Sequence, residues 1–292
     1  MPTLTSICYY RGAWREGDTS LMNSATHAAW LASTVFDGAR YFDGLAPDLG
    51  LHCARALRSA QTLFMIPPVD AEELETLVWE GLRRFPRDST IYIRPMFWIQ
   101  EGTLDVDPAS TQFALVLTLV PFADPAAGFT ACLSPYRRPA ADQAPTQAKA
   151  SCLYPLATMT VRDAKARGFD NGVLRDPFGA VADFAAQNLF LVRGSQCLTP
   201  VPNGTFLNGI TKQRIIGLLR QDGHEVVERT VTVEELAEAD EIFSTGNHDK
   251  VTPCLKYQAR RLSYGPVAKR ARELYWAWAR ASDPSRAELA AR

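Results

Sequence analysis

The feature that most constrains the fold of this chain is a pair of long β-type runs that ends in a cluster of structure-breaking residues. Residues 90–100 and 112–122 carry alternating or continuous apolar side chains, a pattern typical of strands. The segment Pro121-Phe-Ala-Asp-Pro-Ala-Ala-Gly128 follows, and its two prolines and glycine disfavour helix and strand alike. We therefore predict an N-terminal domain of residues 1–121, a linker of residues 122–128 and a C-terminal domain of residues 129–292.

Helical and strand-like patterns alternate irregularly on both sides of this linker. Before it, helical spacing covers 25–32, 51–65 and 72–85, and strand-like patterns cover 8–14 and 34–42. After it, helices are predicted at 155–167, 210–221, 233–239 and from Pro266 onward, and strands at 172–175, 189–193, 226–231 and 241–245. Fraying is expected after Ser282. Because this order is not a regular βαβ repeat, we predict the α+β class.

Composition excludes several kinds of partner. The formal net charge is −1 and no long block of like charges occurs, so nucleic acid and anionic membranes are poor partners. No run approaches the roughly 18 apolar residues that span a bilayer. The six cysteines lack CxxC spacing and the N-terminus lacks the basic and apolar regions of a signal peptide, which indicates a reduced, cytoplasmic setting.

The common catalytic motifs are missing. The sequence has no GxGxxG, HExxH or GxSxG motif, and its four histidines are far apart, so we predict no metal site and no serine hydrolase. The segment Gly204–Thr211 has the glycine spacing of a P-loop but carries Ile210 in place of the lysine. Asn208-Gly209 precedes a predicted helix, whose N-terminus is either an anion-binding cradle or an ordinary helix cap.

Lysines are rare enough to be informative. Only six of the 31 basic residues are lysines, and none precedes position 149: Lys149, Lys165, Lys212, Lys250, Lys256 and Lys269. We expect the three on predicted helices, Lys165, Lys212 and Lys269, to lie on solvated faces. Lys250 and Lys256 flank a β run.

Lys149 lies in a different environment, within Gln147-Ala-Lys-Ala-Ser-Cys-Leu-Tyr154. Its small, uncharged neighbours would desolvate the amine and favour the neutral form, which is the form that attacks an aldehyde. An exposed lysine on a loop is the alternative that this segment alone leaves open.

Several motifs occur together and in a fixed order. They are Thr26-His-Ala, Val35-Phe-Asp-Gly-Ala-Arg40, His52-Cys-Ala-Arg55-Ala-Leu-Arg-Ser-Ala60, Tyr92-Ile-Arg-Pro95, Lys149 with Tyr154, Asn188-Leu-Phe190, Asn208-Gly-Ile-Thr211, and Glu241-Ile-Phe-Ser-Thr-Gly246 with Val251-Thr-Pro253. From about residue 8 to the C-terminal helix, the chain resembles the branched-chain aminotransferases, which belong to the class IV, fold type IV enzymes together with D-amino acid and (R)-amine transaminases. The resemblance implies a smaller N-terminal α/β domain and a larger C-terminal, β-barrel-like domain with flanking helices.

The resemblance also implies a cofactor, pyridoxal 5′-phosphate, and residues that hold it. Lys149 would carry the cofactor and move the proton of the reaction. Tyr154 would donate to the cofactor's phenolic oxygen, and Arg55 would bind its phosphate as a charged fork. Ile210 and Thr211 would add donors from the helix N-terminus, and Asn247 lies in a further cofactor-binding loop.

The sequence departs from the family pattern at the pyridine nitrogen, where the family has a glutamate that keeps this nitrogen protonated. The matching residue here is Asp183, whose side chain is one methylene shorter. We expect its contact to persist in a shifted geometry or through water.

Other departures concern the substrate. Leu31 replaces a tyrosine that shapes the pocket and helps to bind a carboxylate, and Asn247 and His248 replace small residues of a loop. Tyr92 and Arg94 remain as carboxylate partners, although Arg94 could instead form a buried salt bridge that holds its strand.

Two further residues have modest expected roles. Phe36 would line the substrate pocket or the core. His52, on an amphipathic helix beside Arg55, would serve in packing or in support of its neighbours.

The function that the resemblance implies is transfer of an amino group to a 2-oxo acid by a ping-pong mechanism. Branched-chain L-amino acids are the favoured donors, with 2-oxoglutarate as acceptor. An (R)-amine or D-amino acid transaminase and an aminodeoxychorismate lyase remain alternatives, and a binding module without activity is a more distant one. A homodimer is expected, in which the loop 101–108 completes the partner's pocket.

Overall fold

The computed structural model describes residues 5–281, which divide into two compact units. The first unit contains the described residues up to Phe122 together with Ala148–Cys152, and the second contains Ala123–Gln147 and the residues from Leu153 onward. The chain leaves the first unit within the predicted linker, where Pro125–Ala127 form a 3-10 turn. The segment around Lys149 thus belongs to the first unit, although the chain on either side of it belongs to the second. The expected fraying after Ser282 lies outside the described residues.

The first unit is built on a six-stranded antiparallel sheet with the order β2-β1-β6-β5-β3, in which β4 also pairs with β5. Its strands are β1 (Ser6–Tyr10), β2 (Ala13–Glu16), β3 (Thr34–Phe36), β4 (Ala39–Tyr41), β5 (Ile91–Ile99) and β6 (Thr111–Leu119). The two long β runs of the sequence are β5 and β6, which pair along their whole length from Ile91 to Ile99.

Two segments predicted as single strands are each a pair of strands. The run 8–14 is a hairpin, because Arg11 and Gly12 both have positive φ, 51° and 77°, which is the backbone of the two-residue turns that match strand twist. The run 34–42 is divided at Asp37 and Gly38, where the chain passes from β3 to β4.

Three helices belong to the first unit: α1 (His27–Leu31), α2 (Leu49–Thr62) and α3 (Ala71–Leu82). Helices α2 and α3 cover one sheet face, and residues such as Cys53, Val78 and Leu115 form the core between them. Asp70 caps α3 and forms a capping box with Glu73, which fixes the start of that helix. The opposite sheet face carries a smaller apolar cluster and the side chains described below.

The second unit is built on a curled, nine-stranded mixed sheet with the order β12-β11-β10-β13-β14-β7-β8-β9, in which β15 pairs with β14. Its strands are β7 (Phe129–Arg137), β8 (Asn171–Arg175), β9 (Val181–Phe184), β10 (Asn188–Arg193), β11 (Gln196–Pro200), β12 (Glu225–Arg229), β13 (Glu241–Gly246), β14 (Lys250–Tyr257) and β15 (Arg260–Arg261). The pairs β11–β12, β14–β7 and β7–β8 are parallel. The predicted α+β class is confirmed.

Four helices flank this sheet: α4 (Tyr154–Ala166), α5 (Ile210–Gln221), α6 (Val233–Glu238) and α7 (Pro266–Ala281). Helix α6 begins with a capping box between Thr232 and Glu235. The core includes Phe184, Leu191 and Ile242, all buried. Within residues 5–281, each helix is too short or too polar to cross a membrane.

Candidate active site

One face of the first sheet collects four of the predicted site residues. Strand β5 presents Tyr92 and Arg94 on this face, and Phe36 joins them because it pairs with Met96, two residues further along β5. Lys149 reaches the same face through an antiparallel bridge between Val35 and Ala150. Its Nζ lies 4.9 Å from the ring centroid of Phe36. The sequence-predicted lysine and three predicted substrate residues therefore share one surface.

The backbone of Lys149 is fixed on both sides. Its carbonyl accepts a hydrogen bond of 3.1 Å from the N–H of Phe36, and its N–H donates to Ser59 Oγ at 3.0 Å. The flanking alanines, Ala148 and Ala150, are fully buried. A buried and fully bonded backbone holds the root of the lysine in place while its long side chain extends along the sheet face.

Arg94 is half-buried and lacks the salt bridge that was its alternative explanation. Within residues 5–281 it has neither a hydrogen bond nor an ion pair, and its Nε is fully buried. Burying a guanidinium without a counter-ion lowers the stability of the folded protein. A site that has such a guanidinium is therefore suited to bind an anion from outside the chain.

Tyr92 approaches the backbone at the turn between β3 and β4. A Cβ on Gly38 would lie 2.3 Å from the Tyr92 hydroxyl, so this position accepts only glycine while Tyr92 keeps its place. Tyr92 thereby explains the glycine in the motif Val35-Phe-Asp-Gly-Ala-Arg40.

Arg55, the predicted phosphate-binding residue, is held by a buried carboxylate. Its Nε and Nη2 donate to the two oxygens of Asp37 at 2.6 and 2.8 Å, and His52 Nδ1 lies 2.7 Å from Asp37 Oδ1. Burial raises the pKa of Asp37, but the charges and hydrogen bonds of Arg55 and His52 outweigh it and hold that pKa well below its ordinary value. His52 is buried, in agreement with the supporting role expected for it.

Leu31 is the last residue of α1 and lies outside the sheet. It is 37% exposed, and Ala32 ends the helix in the left-handed conformation with φ 57°. Leu31 is thus among the large apolar side chains that are exposed, and its role in the substrate pocket stays a prediction.

In the second unit, Asp183 forms a two-pronged ion pair with Arg138. The Nε and Nη2 of Arg138 each donate to one carboxylate oxygen at 2.8 Å, and Nη2 also donates to the carbonyls of Phe184 and Ala185. Asp183 is buried, and the side chain of Arg138 keeps 12% of its surface exposed. Burial raises the pKa of Asp183 above its usual value, and Arg138 opposes this shift.

The N-terminus of α5 stays a candidate anion-binding cradle, as the sequence predicts. Ile210 and Thr211 are its first residues, and the cap residue Gly209 offers no side-chain acceptor to their N–H groups. Asn188 holds the turn before the helix, because its Oδ1 accepts from the Gly209 N–H at 3.1 Å and its Nδ2 donates to the Leu207 carbonyl at 2.9 Å. A Cβ on Gly209 would lie 2.1 Å from Asn188 Oδ1, so only glycine fits.

The expectation that Lys212 lies on a solvated face is wrong. Its side chain is fully buried, Nζ donates to the Pro200 carbonyl at 2.7 Å and lies 3.3 Å from Glu228 Oε2. Burial lowers its pKa below the ordinary value, and Glu228 opposes the shift. The helical pattern around it could not reveal this, because the acceptors come from strands β11 and β12.

Asn247 and His248 lie at the turn between β13 and β14. Asn247 Oδ1 accepts from the buried Lys250 Nζ at 2.7 Å, while its Nδ2 is buried without a hydrogen-bond partner in the described part of the chain. His248 is exposed and its Nδ1 lies 3.0 Å from Asp249 Oδ2. Tyr154 is half-buried at the start of α4.

Sequence reasoning missed four residues that support these groups: Asp37, Ser59, Arg138 and Asn188. Three of them, Asp37, Ser59 and Asn188, lie inside the motifs given in the sequence analysis. Their places in those motifs, near Phe36, Arg55 and Leu189, were the available signal. Arg138 had no such signal. Among residues 5–281, no group of three or more His, Cys, Asp or Glu side chains is placed to hold a metal ion.

The side chains present suit pyridoxal phosphate. Lys149 offers an amine for its aldehyde, and Arg55 offers a fork for its phosphate. The cap of α5 leaves N–H donors for an anion, and Asp183 offers a buried carboxylate for a ring nitrogen. Each unit, taken by itself, thus carries groups that suit reactive or charged parts of this cofactor.

Comparisons with known proteins identify the same group of enzymes. The family profile "Amino-transferase class IV" matches residues 34–257. A protein of Aquifex aeolicus named "Probable branched-chain-amino-acid aminotransferase" is 29% identical over 89% of this chain and 87% of its own. The crystal structure of a Brucella abortus aminotransferase bound to the cofactor PLP is 50% identical, with a TM-score of 0.93 over 94% of this chain and 99% of that one. A Thermoproteus uzoniensis branched-chain aminotransferase with norvaline is 28% identical, with a TM-score of 0.85 over 93% and 94%. This chain therefore belongs to the class IV aminotransferases, which are pyridoxal-phosphate-dependent enzymes.

Proposed function

We propose that this aminotransferase takes the amino group from a donor that carries a carboxylate, with branched-chain L-amino acids favoured, and passes it to 2-oxoglutarate in a ping-pong cycle. The observation that carries this proposal is the position of Arg94, a half-buried guanidinium without a counter-ion on the sheet face that it shares with Lys149 and Phe36. A carboxylate supplies the missing charge. The names of the relatives favour the same donors.

Lys149 performs the central proton movements in this proposal. Bound pyridoxal phosphate supplies an aldehyde and an electron-accepting ring. The amine of Lys149 would hold the cofactor in the resting enzyme. Once released by the donor, it would take the proton from the donor's α-carbon and deliver it to the cofactor carbon that receives the amino group. Phe36 limits the space into which this amine can move, because its ring lies against Nζ. Tyr92 and Arg94 orient the donor by its carboxylate.

Other residues would hold the cofactor. Arg55 binds the phosphate in the first unit, and the N–H groups of Ile210 and Thr211 bind an anion in the second. Asp183 keeps a proton on the ring nitrogen, and Tyr154 donates to the phenolic oxygen. Substitution of Asp183 by Ala would slow the half-reaction, and an unchanged rate would contradict its assignment.

Three residues receive narrower roles in the proposal. Asn247, whose Nδ2 lacks a partner among the described residues, contributes to the cofactor loop. His248 and Leu31 adjust the choice of donor, because each differs in size and polarity from the residue that the branched-chain enzymes have at its position.

We also propose a cytoplasmic homodimer. All six cysteines are free thiols, which suits a reducing compartment. The loop 101–108 is well placed to contact a partner, since Leu104 is 90% exposed while the loop is tied down by His27, whose Nε2 lies 2.9 Å from the Thr103 carbonyl oxygen. Sedimentation as a fully active monomer would contradict the dimer.

The deciding experiment follows the conversion of the pyridoxal form to the pyridoxamine form by absorbance. L-Leucine and (R)-1-phenylethylamine are each mixed with the wild-type enzyme and with Arg94→Gln, and Lys149→Ala serves as the inactive control. We expect leucine to react and its half-saturating concentration to rise about 10- to 100-fold in Arg94→Gln. Conversion by the amine alone, unaffected by Arg94→Gln, would instead indicate an (R)-amine transaminase.

The same assay distinguishes the remaining alternatives. D-Leucine reacting in place of L-leucine would indicate a D-amino acid transaminase. Pyruvate released from aminodeoxychorismate without any 2-oxo acid acceptor would indicate the lyase.

A further inference from the structure

We propose that Asp37 is a positioning residue, which fixes the guanidinium plane of Arg55 so that it meets the cofactor phosphate in one orientation. The inference rests on the proposed role of Arg55 in phosphate binding. His52, which lies on helix α2 together with Arg55, also contacts Asp37. Neither Asp37 nor His52 needs to touch the cofactor in this arrangement.

The carboxylate of Asp37 is surrounded by donors. Its side chain is fully buried, and it accepts from Arg55 Nε at 2.6 Å, from Arg55 Nη2 at 2.8 Å and from the Gly38 N–H at 2.6 Å. His52 Nδ1 adds a contact of 2.7 Å. With four such partners on two oxygens, the carboxylate has one available orientation, and the guanidinium that pairs with it is equally fixed.

Helix α2 brings both partners to Asp37 because they are three residues apart. His52 and Arg55 lie on the same side of the helix, one turn from each other, and Asp37 follows directly after β3, against which this helix packs. An arginine side chain loses about 2 kcal/mol of rotamer freedom when it is ordered. Pairing with Asp37 restricts the Arg55 side chain when the protein folds, so this rotamer freedom is not lost again when the phosphate binds.

The ionised form of Asp37 is favoured by its partners. Burial raises the pKa of Asp37, but Arg55 and His52 outweigh burial and hold that pKa well below the usual value for an aspartate. We therefore expect no switch in the orientation of Arg55 near neutral pH.

The same turn also borders the lysine. Phe36, whose ring faces Lys149 Nζ, directly precedes Asp37, and Gly38 is the residue against which the Tyr92 hydroxyl lies. A displaced Asp37 would thus disturb phosphate binding first and the neighbouring aromatic residues second.

The test compares two ligands that differ only in the phosphate group. Pyridoxal 5′-phosphate and pyridoxal are titrated into the full-length enzyme after removal of its cofactor, for wild type, Asp37→Asn and Arg55→Gln. We expect Asp37→Asn to weaken binding of the phosphorylated ligand about 10- to 100-fold, the range typical when the partner that orients a metal-binding side chain is removed. Binding of pyridoxal should change less than about twofold. Asp70→Asn makes the same chemical change at a helix cap of the first unit, where asparagine caps as well as aspartate; it is the matched control and should leave both affinities unchanged.

The outcomes separate this inference from the proposal on which it rests. Arg55→Gln should lose affinity for the phosphorylated ligand alone. If it does so and Asp37→Asn loses neither affinity, or loses both equally, the role of Asp37 is refuted while that of Arg55 stands. If Arg55→Gln leaves both affinities unchanged, both assignments are refuted. In the double variant, Asp37→Asn should add no further loss to Arg55→Gln.

A second substitution keeps the inference testable if the Asp37→Asn variant does not fold. Asp37→Glu keeps the negative charge but moves it by one methylene, so the ion pair survives with a displaced guanidinium. We expect a smaller loss in the same direction, again confined to the phosphorylated ligand. Equal affinities of Asp37→Glu and wild type for this ligand would overturn the inference.

Discussion

The backbone N–H of Lys149 donates a hydrogen bond of 3.0 Å to the hydroxyl of Ser59, ninety positions earlier in the chain. Ser59 is buried on α2, one turn beyond Arg55 and two turns beyond His52. A single side of this helix therefore supports both the proposed phosphate-binding arginine and the lysine. The contacts of His52, Arg55 and Ser59 thus explain why these residues occur together in the motif from His52 to Ala60.

Substitution of Ser59 by Ala should destabilise the protein. The Lys149 N–H would lose its acceptor in a buried environment, which costs about 1–3 kcal/mol. Unfolding in urea would measure the loss, and Ser89→Ala, at a half-buried serine whose hydroxyl makes no hydrogen bond in the described structure, is the control, with an expected change below about 0.5 kcal/mol. Equal losses in the two variants would show that the hydrogen bond is unimportant.

The free energy of unfolding should fall when the ion pair between Arg138 and Asp183 loses one partner. Asp183→Asn leaves the guanidinium of Arg138 buried without its counter-charge, and we expect a loss of about 3 kcal/mol in the free energy of unfolding. The exposed pair of Arg193 and Glu238, whose atoms lie 2.6 Å apart, provides the comparison. Glu238→Gln should cost less than about 1 kcal/mol. Similar losses at both sites would argue against a special role for burial.

The part of the site that was predictable lies in regular structure. Tyr92 and Arg94 are two residues apart in a run with clear alternation, so their common sheet face follows from strand geometry. Long-range pairs do not follow in this way. Arg138 and Asp183 are 45 positions apart, and nothing in either local sequence indicates that they meet. The polar helical pattern around Lys212 predicts a solvated face, yet a carbonyl of β11 and a carboxylate of β12 stabilise its amine in the interior.

Asn188→Ala should weaken cofactor binding. Both hydrogen bonds from its side chain fix the turn from Leu207 to Gly209, and without them the first N–H groups of α5 lose their fixed direction. We expect about a tenfold weaker affinity for pyridoxal phosphate, equivalent to about 1.4 kcal/mol, measured by absorbance titration. Asn208→Ala, at an exposed neighbour, should bind as the wild type does. A loss of the same size in both variants would contradict the specific role of Asn188.

The capping box of α6 should make stability depend on pH in the acid range. Glu235 accepts from Arg229 at 2.6 and 3.0 Å and from the Thr232 N–H at 3.0 Å, and these bonds lower its pKa from the ordinary 4.5 to about 2. Because the pKa of the folded state is the lower one, the contribution is complete above pH 4.5 and is lost as the pH falls toward 2.

Glu235→Gln tests this dependence. Near neutral pH the variant should be less stable by about 1 kcal/mol, a value kept small because the pair is partly exposed to solvent. The difference from wild type, measured by urea unfolding at several pH values, should shrink as the solution becomes more acidic. Glu234→Gln, on the adjacent residue, controls for the general effect of charge at the helix start. A difference that grows on acidification would refute the assignment.

The strand boundaries show a second limit of sequence patterns. The run 8–14 predicts a single strand by composition, but its turn at Arg11 and Gly12 depends on backbone conformation rather than on apolar alternation. Strand β9 is likewise hidden, because its four residues, Val181–Phe184, are all buried, and the one polar residue among them, Asp183, is too little to show an alternating pattern. Short strands without alternation leave little periodicity to detect.

The return of Ala148–Cys152 to the first unit has a consequence for synthesis of the protein. As the chain leaves the ribosome, the edge of β3 at Val35 receives its partner only when Ala150 has been translated, well after the last strand of that sheet. In the interval the nascent polypeptide carries an open sheet edge, the kind of surface that invites pairing with another chain. A truncated product that stops at the linker would therefore be prone to aggregate, and the lysine-bearing segment completes the N-terminal unit as well as supplying its amine.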